Sequence, residues 1–174
     1  GNWAQQDPGD WWKAVCETSR QLLEGVDKSQ VAAVSFSGQM MGCVCLGKQG
    51  ELLGDGIIWA DQRAVKQADN LAARISQKEF YHITGHRISP SYSLEKLMWI
   101  RDNQPDTFRK IHKVLNPKDY VIWLLTGQLV TDYSDASGTN AFDLNRLCWS
   151  RDILQCAGIR EELFPQAFPS THMA

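Results

Sequence analysis

Apolar residues recur along this chain with two periods, and the alternation between them sets the predicted elements. Trp11, Trp12, Val15, Leu22, Leu23 and Val26 return at helical spacing. Asp7 can cap that helix, Pro8 suits a first turn that needs no N–H, and Asp10 follows three beyond the cap. Residues 31–36, Val-Ala-Ala-Val-Ser-Phe, form an apolar stretch of strand length. A turn-like Ser37-Gly38-Gln39-Met40-Met41-Gly42 leads to a second strand over 43–46. Lys48-Gln49-Gly50-Glu51 then reads as a hairpin turn into an extended segment that ends at Ile57-Ile58-Trp59.

Beyond residue 60 the period is mainly helical. Asp61 is expected to cap a helix carrying Ala64, Ala68, Leu71 and Ala72, and a short helix is expected over 78–83. Ser93 is expected to cap another, with Leu94, Leu97 and Met98 as its buried stripe. Asn116-Pro117-Lys118-Asp119 repeats the pattern of Asp7 to Asp10, and the helix it starts ends at Gly127. Residues 128–142 read as short strand and loop, and Ser150 caps a last helix that stops at Gly158. Paired strands followed by helices predict a mixed α/β layer structure. The chain shows no internal repeat and no low-complexity tract.

Composition narrows the function classes. The 174 residues are 43% hydrophobic and carry seven Trp, which excludes a disordered chain. A net charge of −2 offers no basic excess for nucleic acid. The longest apolar run, residues 121–125, is too short to cross a bilayer, and no leader-like segment opens the chain. Neither nucleic acid nor membrane is therefore an expected partner. Cys16, Cys43, Cys45, Cys148 and Cys156 are odd in number and irregular in spacing, which fits free thiols in a cytoplasmic protein. Cys43 and Cys45 should share one face of a strand. His82 and His86 are separated by Thr84-Gly85, and a helix end with surface histidines is expected rather than a metal site. A start at Gly1 without Met suggests a piece of a longer protein.

Walker, dinucleotide-binding and Gly-x-Ser-x-Gly signatures are missing from the sequence. The remaining candidates are polar loops at predicted strand ends, where α/β sheets place ligands. In the first, Gly38 and Gly42 allow a close backbone approach and Gln39 offers donor and acceptor, although a tight hairpin connection would look the same. The second, Trp59-Ala60-Asp61-Gln62-Arg63, sets a carboxylate and a guanidinium beside an aromatic face. That suits a polyhydroxylated ligand, or equally a helix cap with a surface arginine. The third, residues 132–139, could line a pocket or satisfy a loop backbone. Trp59 is the tryptophan expected to meet a ligand, while Trp3, Trp11, Trp12, Trp99, Trp123 and Trp149 are expected at core positions on helices.

The order of these segments resembles the N-terminal domain of the FGGY carbohydrate kinases, nearest the xylulokinase-like branch. The resemblance is carried by Gln6-Asp7-Pro8 with Asp10-Trp11-Trp12, Ser37-Gly38-Gln39-Met40, and Ile58-Trp59 with Asp61 and Arg63. It continues through Lys96-Leu97-Met98-Trp99, Pro117-Lys118-Asp119-Tyr120, Leu125-Thr126-Gly127, Thr131-Asp132, residues 134–139 and Trp149-Ser150.

The resemblance implies an actin-like, ribonuclease-H-like α/β domain lacking its first strands, with residues 1–174 forming most of the sugar-binding domain. It further implies that Gln39, Met40 and Met41 touch the sugar, that Asp61 and Arg63 lie near the cleft, and that Tyr92 matches an aromatic substrate contact of glycerol kinases. ATP and Mg2+ would be held mainly outside this chain. A phosphate-binding Asp-x-Gly-Thr turn is expected upstream of Gly1, and a catalytic Asp downstream of Ala174. Sugar and ATP are the expected small-molecule partners, with a homodimer left open. D-xylulose is the first expected substrate, and ribulose, gluconate, glycerol or a non-catalytic sugar-binding module are the alternatives. Xylulokinases usually read Ser-Gly-Gln-Met-His-Gly, and Met41 stands here at the His position. A thioether cannot donate a hydrogen bond to a sugar hydroxyl, which weakens the expectation of xylulose.

Overall fold

The computed structural model describes residues 2–174. The chain runs through β1 (Gln5–Gln6), α1 (Pro8–Leu22), β2 (Val44–Leu46), β3 (Gly56–Ile57), α2 (Val65–Ala72) and α3 (Gln77–Thr84). It continues with α4 (Ser93–Asn103), α5 (Pro105–Lys110), β4 (Lys113–Leu115), α6 (Pro117–Thr126) and β5 (Val130–Asp132). The last elements are α7 (Tyr133–Ser137), β6 (Phe142–Asp143), β7 (Cys148–Trp149), α8 (Arg151–Ala157) and β8 (Gln166–Phe168).

Several helix boundaries follow local chemistry, but Ser93 is the first residue of α4 and not its cap, its hydroxyl donating to Asn116 Oδ1 at 3.4 Å. Asp7 accepts from the Gly9 N–H at 2.8 Å and starts α1. Asn116 and Asp119 form a reciprocal capping box on α6, which Gly127 ends at a φ of 74°. Ser150 caps α8, and Gly158 closes it in the left-handed region. Residues 128–142 contain a short helix that the pattern did not suggest. The Asp132 carboxylate accepts from the N–H groups of Ser134 and Asp135, and this turn nucleates α7.

Strand pairing is short and scattered. β1 pairs antiparallel with β3, β2 with β4, and β6 with β7, whereas β5 and β8 run parallel across the α8 crossover. The β2–β4 ladder alternates as a half-shared sheet should. Cys43, Cys45 and Val114 face a large core with Leu94, Leu97, Phe142 and Trp149, while Val44, Leu46, Leu115 and Tyr120 face a second cluster under Trp11 and Trp123. The Cys43 and Cys45 thiols lie 3.9 Å apart on the same face, as expected, and all five cysteines are free.

Residues 31–36 depart from expectation. They follow a 3-10 turn (Lys28–Gln30), and Val31 and Val34 are exposed. A strand needs a ladder partner for its N–H and C=O groups, and among the described residues no neighbour supplies one. The tryptophans also divide differently. Trp149 is buried on β7 rather than on a helix, and Trp3 is 60% exposed before β1. Among the described residues no helix is long and apolar enough to cross a membrane.

Candidate functional site

Helix α4 is the element on which the site is built. Its first six residues, Ser93 through Met98, are all buried, so its polar side chains must find partners inside the protein. Lys96 does so by donating from Nζ to three main-chain carbonyls: Met41 at 2.6 Å, Ile58 at 2.8 Å, and Ser91. Burial pulls its pKa down to about 8, against the attraction of Cys43, Asp61 and Glu95. Glu95 beside it is equally buried. It accepts from Asn140 Nδ2 at 3.0 Å, and burial raises its carboxyl to about 7.

The three carbonyls gathered by Lys96 belong to three segments that border one groove of about 650 Å³. Met41 comes from the loop before β2, Trp59 and Gln62 from the loop after β3, and His86, Ser91 and Tyr92 from the connection between α3 and α4. Gln62 Nε2 donates to Ser91 Oγ at 2.5 Å and closes two of these walls together. The Tyr92 hydroxyl lies 3.3 Å from His86 Nδ1, with the two rings 5.2 Å apart. Burial lowers the His86 pKa, and burial together with the Glu95 charge raises that of Tyr92. Aromatic faces, hydroxyls, an imidazole and the exposed Arg87 guanidinium at the rim suit a polyhydroxylated molecule, neutral or acidic. Among the described residues the groove carries no carboxylate to take a proton from it.

Asp61 and Arg63 lie behind this groove and do not line it. Arg63 Nε bonds both Asp61 oxygens at 3.0 Å, its Nη2 reaches Asp61 Oδ2 at 2.8 Å and Gln5 Oε1 at 2.9 Å, and both side chains are buried. The guanidinium sits 4.1 Å from the Trp3 ring centre and 5.0 Å from that of Trp99. Asp61 also accepts from the Ala4 N–H at 2.5 Å. Burial would raise the Asp61 carboxyl, but the hydrogen bonds from Arg63 and Ala4 outweigh it and hold the pKa below the ordinary value. The expected helix cap is therefore corrected. Asp61 is taken by Arg63 and Ala4, and α2 starts at Val65 without a side-chain cap. The pair anchors the β1 strand to the loop that presents Trp59 and Gln62.

The loop carrying Gln39, Met40 and Met41 does not present them to one place. Met41 has a φ of 61°, a left-handed conformation uncommon outside glycine. It faces the groove, whereas Met40 lines a separate cavity of about 600 Å³ with Lys118, Asp132 and Asp135. A Cβ at Gly138 would come within 2.6 Å of Met40 Cε, so that glycine makes room for the thioether. Gln39 is half-buried and borders neither space. The loop is pinned where Asn116 Oδ1 accepts from the Gly42 N–H at 3.1 Å. A side chain at Gly42 would overlap the Pro117 ring.

In the second cavity Lys118 Nζ faces Asp119 at 2.7 Å, Asp132 at 3.0 Å and Asp135 at 3.4 Å. Burial would lower the lysine, but the three carboxylates outweigh it and raise its pKa. Burial and the Asp119 charge lift Asp135 to about 7. Among the described residues no group of three or more His, Cys, Asp or Glu is arranged to hold a metal ion.

Sequence reasoning reached Met41, Tyr92 and Trp59 of the groove, named the Gln62 loop and the Lys96 segment without giving those side chains a role, set His86 aside as a surface residue, and missed Ser91. That Gln62, Ser91 and His86 share one groove has no local mark, because they meet only through folding.

Short strands with helices packed around them and a polar groove at the strand ends define an α/β domain. The chain belongs to the FGGY family of carbohydrate kinases, and residues 1–174 match the family's N-terminal domain. It is 33% identical over 171 residues to the xylulose kinase of Escherichia coli K12, covering 98% of this chain and 35% of that protein. The structure of a xylulose kinase from Rhodospirillum rubrum superposes with a TM-score of 0.90 at 27% identity, covering 97% of this chain and 35% of the other. A gluconate kinase from Lactobacillus acidophilus superposes with a TM-score of 0.88 at 32% identity, covering 96% and 34%. The chain thus spans about a third of the length of the relatives it matches.

Proposed function

We propose that this chain supplies the sugar-holding half of a carbohydrate kinase, with a ketose as substrate and D-xylulose first among candidates. The observation that carries the reading is the convergence of Met41, Trp59 and Tyr92 on one groove whose three walls are tied to Lys96. Trp59 is 54% exposed, an aromatic face free to lie against sugar C–H groups. Asp61 and Arg63 act from behind, fixing the loop that carries it. Met40 and Gln39 shape the neighbouring loop.

The Lys118 cavity is poorly suited to a nucleotide polyphosphate. The Lys118 cavity sets one ammonium against three carboxylates, and those carboxylates would repel phosphate oxygens. In this proposal MgATP is held by residues beyond these 174, and the base that takes the sugar proton lies there as well. The groove positions the hydroxyl, the part of phosphoryl transfer that rests on placement.

The test is ADP release by the full-length protein across pentuloses, hexuloses and polyols. Sugar-dependent turnover supports the reading. Binding without turnover points to a sugar-binding module derived from the family. A second reading keeps the reaction and makes gluconate the substrate, favoured by the similarity to gluconate kinases and by Met41 standing where an imidazole is usual. Met41→His should raise kcat/KM for xylulose relative to gluconate if this position sets preference, and an unchanged ratio would remove it from consideration.

A further inference from the structure

Most polar groups around the groove are already engaged. Lys96 spends its ammonium on three carbonyls, Gln62 Nε2 is taken by Ser91 Oγ, and Arg63 is turned into Asp61. His86 differs. Its Nδ1 meets the Tyr92 hydroxyl at 3.3 Å, and the tilted stacking of the two rings fixes the imidazole plane. Its Nε2 has no protein partner among the described residues. A neutral imidazole carries one N–H and one lone pair, and the partner of one nitrogen sets the role of the other. If Tyr92 donates to Nδ1, Nε2 is a donor to the groove. If Nδ1–H donates to Tyr92, Nε2 is an acceptor. Either role matches a hydroxyl group.

We propose that His86, with its ring fixed by Tyr92, hydrogen-bonds a hydroxyl of the sugar and helps set substrate preference from the α3–α4 wall. This imidazole enters the groove from a different segment than the loop in which Met41 stands. The inference rests on the sugar-kinase reading above, and it names a specificity residue that was expected to lie on the surface as part of a helix end.

The experiment compares wild type with His86→Phe, His86→Gln and Tyr92→Phe in the full-length protein, over the same sugar panel. His86→Phe should raise the KM for the preferred sugar about tenfold, the scale of one lost hydrogen bond. Its kcat and its KM for ATP should stay within about threefold. His86→Gln should recover part of the loss, and Tyr92→Phe should fall between. The half-buried position of His86 leaves the fold intact, which an unchanged thermal midpoint checks. An unchanged sugar KM in an active His86→Phe variant overturns the proposal while leaving the kinase reading in place. If wild type turns over no sugar, the kinase reading fails, and binding decides this one. Sugars titrated into isotopically labelled protein should then shift the His86 ring resonances. Silence at those resonances with saturation elsewhere overturns it.

Discussion

Lys96 Nζ and the carbonyl of Met41 are joined by a 2.6 Å hydrogen bond, and it falls at a left-handed residue with a φ of 61°. The lysine therefore holds in place a backbone conformation that methionine rarely adopts on its own. The same ammonium reaches the loops carrying Trp59 and Tyr92 through Ile58 and Ser91. One buried charge thus sets the spacing of three groove walls.

Lys96→Met should lower stability by about 3 kcal/mol, because three carbonyls lose their donor while the desolvated charge is relieved. Urea unfolding checks this. A variant as stable as wild type would show that the carbonyls find other partners and that Lys96 does not hold the walls.

Asp61→Asn should cost about 3–5 kcal/mol, since it leaves the buried Arg63 guanidinium without its carboxylate. The double variant Asp61→Leu with Arg63→Met should recover much of the loss, because it removes both charges together. Chemical denaturation of the two variants separates the need for pairing from the need for charge.

Glu95 gives a pH dependence of defined sign. Its carboxyl titrates at about 7 in the folded chain, against an ordinary value of 4.5. Between those values the folded chain keeps a proton that the unfolded chain has released. Stability from this group is therefore full below about pH 4.5, declines as pH rises towards 7, and is lost above it. Glu95→Gln should raise stability at pH 8 by about 2 kcal/mol and flatten the profile over that window. Asp135, lifted to the same range, should preserve part of the slope. Thermal unfolding from pH 4 to pH 8 reads both effects.

Asn116 joins three elements through one buried amide. It accepts from the Gly42 N–H, donates to the Asp135 carbonyl at 3.1 Å, and caps α6. Asn116→Ala should cost about 2–3 kcal/mol, more than a surface cap, because buried partners are left open. Amide exchange should quicken at Gly42 before it does in the core of α4. Uniform exchange across the domain would contradict the local role.

The sequence was most legible where structure is local. Asp7, Asn116 and Ser150 cap helices, and Gly127 and Gly158 end them, because a cap is decided within a few residues. Residues 31–36 have the composition of a strand, but pairing is decided by a distant partner that composition does not reveal. Asp61 fits a cap as well as an ion pair, and only the arrival of Ala4 and the stacking of Trp3 and Trp99 on Arg63 distinguish them. The divergence of Met40 and Met41 turns on one positive φ at a residue type that gives no sign of it. His86 looks like a surface histidine until the α3–α4 connection folds Tyr92 against it.

That divergence makes the Gly38 to Gly42 loop a partition, with Met40 lining one space and Met41 the other. Its ends are clamped, since a side chain at Gly38 would press on Lys118 and one at Gly42 on Pro117. A substitution at either methionine changes the lining of its own space, and at Met41 the new residue must also take the left-handed backbone. Adding or removing one residue between the clamps would instead rotate the partition, and each chamber would receive the side chain meant for its neighbour. Loop length, more than the identity of either residue, is the quantity this domain has to keep.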